Sequence, residues 1–201
     1  MCSVYDLAKK QPAQQDFDLL EGVMEVLQAM DERRLIRRTD RAPVMLADGT
    51  VEEMHWGYMR QGLGPVNNAR SEKLDSPMWR DSFAERRCLI PVAHFFEWSG
   101  PKGSKRTHRF EHPAGEWLWM AGMWEESREY GRCYTMLTTA ANSLMEPIHK
   151  RMPAVLVGEE IPAYLAGDLR AFNPSAGCLR VEDALNPLLK NPPTHQQGEL
   201  F

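Results

Sequence analysis

The chain has 201 residues, 43% hydrophobic and 26% charged, with a formal net charge of −4. That balance supports a buried core without staples and argues against coating nucleic acid by bulk charge, while leaving room for a local basic cleft. No secretory signal precedes the first charged segment, and no apolar run nears the ~18 residues of a membrane span, so a cytoplasmic protein with reduced thiols is expected.

In chain order, "CSVYD" reads as an opening strand. "DFDLLEGVMEVLQAMDERRL" follows, with Phe17, Leu20, Met24, Leu27 and Met30 at helical spacing on one apolar face. In "APVMLADGTVEEMHWGYM", Asp48-Gly49 between two strand-like runs predicts a hairpin. "GLGPVNNARSE" begins irregularly because of its Gly and Pro punctuation. "DSPMWRDSFAERR" offers Ser76 as N-cap and Pro77 as first helical residue. "CLIPVAHFFEW", "EWLWMAGMWEE" and "CYTMLTTAA" read as strands, the second entered through a "HPAGE" turn. A short helix through "NSLMEPIH", a strand at "MPAVLV" and a helix "EEIPAYLA" closed by Gly167 complete the order. No repeat or linker divides the chain. It reads as one α+β domain over 1–201, a curled antiparallel β-sheet with a barrel-like core and peripheral helices, and a mobile tail after about residue 185.

The polar residues that stand out are few. Cys2 follows Met1, and removal of that methionine would leave a free α-amine and a thiol on one residue. Glu97 lies in an aromatic strand and alternates onto the face of Phe95, either a wet face or an apolar pocket suited to proton transfer. His149 precedes a buried-looking strand, from which an imidazole can face a cleft, with Arg151 two residues on. Asn68 and Arg70 sit on a punctuated loop, where they serve either a phosphate or the turn itself. Cys88, Cys133 and Cys178 lie beside apolar runs and read as buried hydrophobes; with no Cys or His at ligand spacing, no metal site is expected.

Cys2 behind Met1, "HWGYM", "NNARSE", "RRCLIPVAHFFEW", "MAGMWE", "TMLTTAAN" and "IHKRMPAVL" occur in an order that resembles the SOS response-associated peptidase family, which acts on abasic sites in single-stranded DNA. The resemblance implies catalytic roles for Cys2, Asn68, Glu97 and His149, with Arg70 on phosphate. It also implies self-removal of Met1, a covalent thiazolidine between Cys2 and the open sugar, AP-lyase activity, and no cofactor or metal. The expected partner is abasic single-stranded DNA, bound by a monomer without membrane association, in the cytoplasm at the nucleoid. A stacking surface from Trp56 and a basic stripe drawn from Arg60, Arg70, Arg86, Arg87, Lys105, Arg106 and Arg151 would hold the strand. Departures sit at Ser3 and Val4, where members commonly have Gly-Arg, and at His94, where a glycine is usual. Two other readings stay open. One is a Cys-dependent N-terminal-nucleophile peptidase with His149 as base; the other is a non-catalytic DNA-binding module.

Overall fold

A computed structural model describes residues 2–8, 22, 25–27, 29, 34–60 and 62–189. The chain runs through β1 (Val4–Leu7), β2 (Arg34–Arg37), β3 (Arg41–Leu46), β4 (Val51–Trp56), β5 (Tyr58–Arg60), β6 (Gly64–Val66) and β7 (Asn68–Arg70) to helix α1 (Arg80–Glu85). It continues through β8 (Arg87–Val92), β9 (His94–Ser99), β10 (Arg106–Glu111), β11 (Leu118–Ser127), β12 (Gly131–Ala140), β13 (Arg151–Pro153) and β14 (Val155–Leu156). Helix α2 (Glu160–Ala166) and β15 (Arg180–Ala184) follow.

β12 pairs β4, β4 pairs β3, β3 pairs β8, β8 pairs β11, and β11 returns to β12. The strands thus close a ring, which leaves no open edge within it. Its pairings are antiparallel apart from β12–β4, which is parallel. A second sheet, ordered β15-β10-β9-β1-β2, is antiparallel throughout. The curled, barrel-like core with peripheral helices forms as the sequence predicts.

The hairpin turns at Asp48-Gly49, pairing β3 with β4 from Arg41↔His55 to Met45↔Val51. The run "CLIPVAHFFEW" is two strands rather than one. At Ala93 the chain leaves the ring and enters the second sheet, and the Ala93 N–H donates to the Asp6 carbonyl at 2.9 Å. Both halves are buried, so the apolar pattern continues across the switch and hides it. "MPAVLV" likewise divides at Ala154, which bonds Leu137 and Ala121 through its backbone at 2.9 Å each.

Three expected elements differ. The helix after Ser76 starts at Arg80, because the Ser76 carbonyl, not its hydroxyl, takes the Trp79 and Arg80 amides at 3.0 Å. "NSLMEPIH" forms turns instead of a helix, with Asn142 Oδ1 accepting the Leu144 and Met145 N–H groups at 3.1 and 3.0 Å. "DERRL" gives way to β2 at Arg34. Residues 25–27 are helical and Leu27 is buried, while Phe17, Leu20, Met24 and Met30 lie outside the described residues, as do Met1 and the tail "NPPTHQQGELF". β10 and β15 are strands the sequence does not signal, since charged side chains interrupt their alternation. Gly167 closes α2 as expected, at φ 97°.

Candidate active site

Cys2 is fully buried just ahead of β1. Its carbonyl accepts a hydrogen bond from Asn68 Nδ2 at 2.9 Å. Asn68 is aimed there by β7, which lies parallel to β12 with Met136↔Asn68 and Thr138↔Arg70 in register. Gly57 makes room for this crossover. It sits at φ 134°, where a Cβ would come within 2.9 Å of Asn67 Nδ2 and 3.0 Å of Pro65 Cβ. Asn67 locks the loop to β4, donating to the Trp56 carbonyl at 2.6 Å and accepting from the Trp56 indole at 2.9 Å. Asn68 Oδ1 is buried with no hydrogen-bond partner among the described residues.

Glu97 is 4% exposed, so the wet-face alternative does not hold. Its face of β9 carries Phe95, which stacks on Phe110 with ring centroids 4.8 Å apart and pairs Tyr5 of β1. Burial pushes the Cys2 thiol pKa well up, and the Glu97 charge raises it further. The thiol therefore stays protonated near neutral pH, the opposite of the thiolate that a cysteine nucleophile of amides requires. Tyr5 and Tyr134, hydrogen-bonded to each other through their hydroxyls at 2.6 Å, lie close enough for Cys2 to act on both electrostatically. Tyrosines in apolar strands give no functional signal in the sequence.

His149 follows the Asn142-capped turns. Its Nδ1 stands 3.0 Å from both the amide nitrogen and the carbonyl oxygen of Arg151, which fixes the ring on the backbone. β13 then pairs β12 through Thr138↔Pro153 and Ala140↔Arg151. The end of β12 is thus shared by the strand that holds Asn68 and the strand that His149 enters. Arg151 binds across it, donating from Nη1 to Glu72 at 2.6 Å and from Nη2 to the Thr138 carbonyl at 2.5 Å.

The basic residues separate sharply. Arg70 is exposed and has no ion-pair partner among the described residues. Arg86 is half-buried, with Nε on the Trp124 carbonyl at 3.2 Å. Arg60 is paired with Glu125. Two expected DNA contacts are corrected by burial. Arg87 is 4% exposed and donates to the Phe83, Tyr164 and Leu169 carbonyls at 2.8–2.9 Å, which leaves it inside the fold. Trp56 is fully buried with its ring against Tyr5 and Tyr134, so it offers no face to a base. A groove of about 610 Å³ lined by Leu35, Phe96, Arg109 and Leu185 opens on the other face of β9, away from Glu97. No helix among the described residues is long and apolar enough to cross a membrane.

The family model for the SOS response associated peptidase (SRAP) matches residues 1–185. The abasic site processing protein YoqW of Bacillus subtilis is 36% identical over 139 residues, which cover 60% of this chain and 61% of that protein. The abasic site processing protein HMCES of Xenopus tropicalis is 27% identical over 163 residues, covering 59% and 49%. Among solved structures, a Bordetella bronchiseptica protein superposes with a TM-score of 0.72 at 23% identity, covering 91% of this chain and 99% of that one. A Bacteroides thetaiotaomicron protein gives 0.66 at 18%, covering 92% and 93%. These two show the fold alone.

Proposed function

This chain belongs to the SOS response associated peptidase (SRAP) family, and from that premise we propose that it processes abasic sites in single-stranded DNA by linking Cys2 covalently to the lesion. The observation that carries the reading is the burial of Cys2 against Asn68 and within the field of Glu97, with its thiol kept protonated.

The chemistry follows from those groups. Removal of Met1 frees the Cys2 α-amine, whose ordinary pKa of about 7.7–8.0 leaves part of it unprotonated near neutrality. The open-chain sugar of an abasic site presents an aldehyde at C1′. The amine adds to that carbon and water leaves, giving an imine. The S–H bond then adds across C=N, sulfur to C1′ and proton to nitrogen, and closes a five-membered thiazolidine. One water is released and nothing is oxidised or reduced. An internal cysteine cannot do this, because its nitrogen is tied in an amide.

The neighbours take roles that match their positions. His149 Nε2 gives a proton to the ring oxygen of the closed sugar, which exposes the aldehyde. Glu97 moves protons during addition, dehydration and ring closure. Asn68 holds the Cys2 backbone through Nδ2 and turns its buried Oδ1 toward the amine or sugar. Arg70 meets a backbone phosphate, and Arg151 braces the His149 turn. Reaction on an unstacked lesion in a single strand avoids the cost of base flipping. A peptidase working through the Cys2 thiolate is disfavoured by the upward shift of that thiol.

The test is to incubate the protein with single-stranded DNA carrying one abasic site, then examine a denaturing gel and intact mass. The expected product is a gel-stable adduct at the mass of protein without Met1, plus DNA, less one water. Retention of Met1 or absence of an adduct overturns the reading.

A further inference from the structure

One register row of the second sheet reads Asp6, His94, Glu111, Arg180, each the Cα partner of the next on β1, β9, β10 and β15. Its carboxylates alternate with basic side chains. His94 Nδ1 lies 2.8 Å from Asp6 Oδ1, and Nε2 lies 3.1 Å from Glu111 Oε2. Arg180 binds the other oxygen of Glu111. Asp6 is fully buried and Glu111 is 3% exposed, so these contacts are little screened by water. Among the described residues, Arg109, 3.8 Å from Glu111, and Glu182, which Arg109 also binds, add further charge beside the row. β2 places the apolar Leu35 opposite Asp6.

A neutral imidazole has a single N–H, and its second nitrogen would turn a lone pair toward a carboxylate. Only the imidazolium donates to both. The row also crosses the two strands that hold the candidate site. β1 begins two residues after Cys2, and Glu97 follows His94 by three on β9. The Asp6 carbonyl meanwhile takes the Ala93 amide where the chain switches sheets. Fixing Asp6 to His94 therefore fixes the approach of Cys2 to Glu97.

We infer that His94, clasped between Asp6 and Glu111, is a positioning residue for the reaction of Cys2. The inference rests on the abasic-site reading above. Its consequence is that loss of either clasp contact loosens β1 against β9 and slows adduct formation without removing any reacting group.

Two measurements test this. The first is the ¹⁵N spectrum of the His94 ring in the protein alone. Both ring resonances should move when Asp6 or Glu111 is replaced by its amide, and a ring insensitive to either replacement overturns the inference. The second is the rate of adduct formation for the native protein, His94→Gln and His94→Arg. His94→Gln should lose roughly tenfold in rate, as for loss of a hydrogen bond to a charged group. His94→Arg, which can donate to both carboxylates, should regain the rate. A His94→Gln rate equal to the native one overturns the inference. Failure of the native protein to form any adduct overturns the abasic-site reading instead, and the ring spectrum still decides the clasp.

Discussion

On one face of β9, Glu97 is buried on the same side as Phe95 and acts electrostatically on Cys2; on the other, His94 is held between Asp6 and Glu111. The strand is the same and the side chains are three residues apart, yet the two environments differ in kind. The outer face sets carboxylates and basic side chains alternately along a ladder. The inner face sets a carboxylate within electrostatic reach of a thiol whose ionisation it opposes. The inner arrangement is the one in which a buried acid acts on a second reactive group, the pattern expected of chemistry rather than of architecture alone. Arg87 sides with architecture, since its charge is enclosed by three carbonyl acceptors.

The sharpest way to break this division is at Cys2. Cys2→Ala should abolish the adduct on a denaturing gel, whereas Cys2→Ser should still give a borohydride-trappable imine but little stable product. A full yield from the alanine variant would remove the inner face from the chemistry.

Next in size is Glu97→Gln, expected to slow adduct formation by roughly 10²–10³-fold, as for loss of a general acid–base group. A drop in thermal midpoint with an unchanged rate would make Glu97 architectural.

Arg87→Met should do the reverse. Three carbonyls, two of them in fully buried contacts, lose their donor, which costs about 3 kcal/mol in a denaturant titration, while the affinity of the folded protein for single-stranded DNA stays the same.

Arg70→Ala should weaken single-stranded DNA binding and lower the slope of log affinity against log salt by about 1, measured by titration at several salt concentrations. An unchanged slope would free Arg70 from phosphate.

The smallest effect is expected at Glu72. Partial burial tends to raise its pKa, but backbone hydrogen bonding and Arg151 together hold it below the ordinary value. A depressed folded-state pKa contributes stability above the unfolded value, lost as pH falls through the folded one. Glu72→Gln should therefore slightly lower the thermal midpoint above about pH 4.3, with the variant and native profiles converging as pH falls below it.

Much of the architecture is legible locally. The Asp48-Gly49 hairpin, the Gly167 stop and the long strands β11 and β12 follow from turn chemistry and apolar runs, which act over a few residues. Asn68, Glu97 and His149 stand out because polar groups in such surroundings lack a local reason. The break at Ala93 is illegible, since strands in two different sheets are equally apolar when both are buried. β10 and β15 are illegible for the converse reason, their charges making sense only against partners on other strands.

The sequence by itself thus determined which residues have reactive groups and where its clearest turns and long strands fall. It named Cys2, and it placed Glu97 on the face of Phe95. Only the tertiary structure decided whether that face is wet or enclosed, which of Arg70 and Arg87 can meet a phosphate, and that His94 stands between two carboxylates. Burial and cross-strand register are properties of pairs of distant segments, and a side chain carries no mark of its partner until the sheets close.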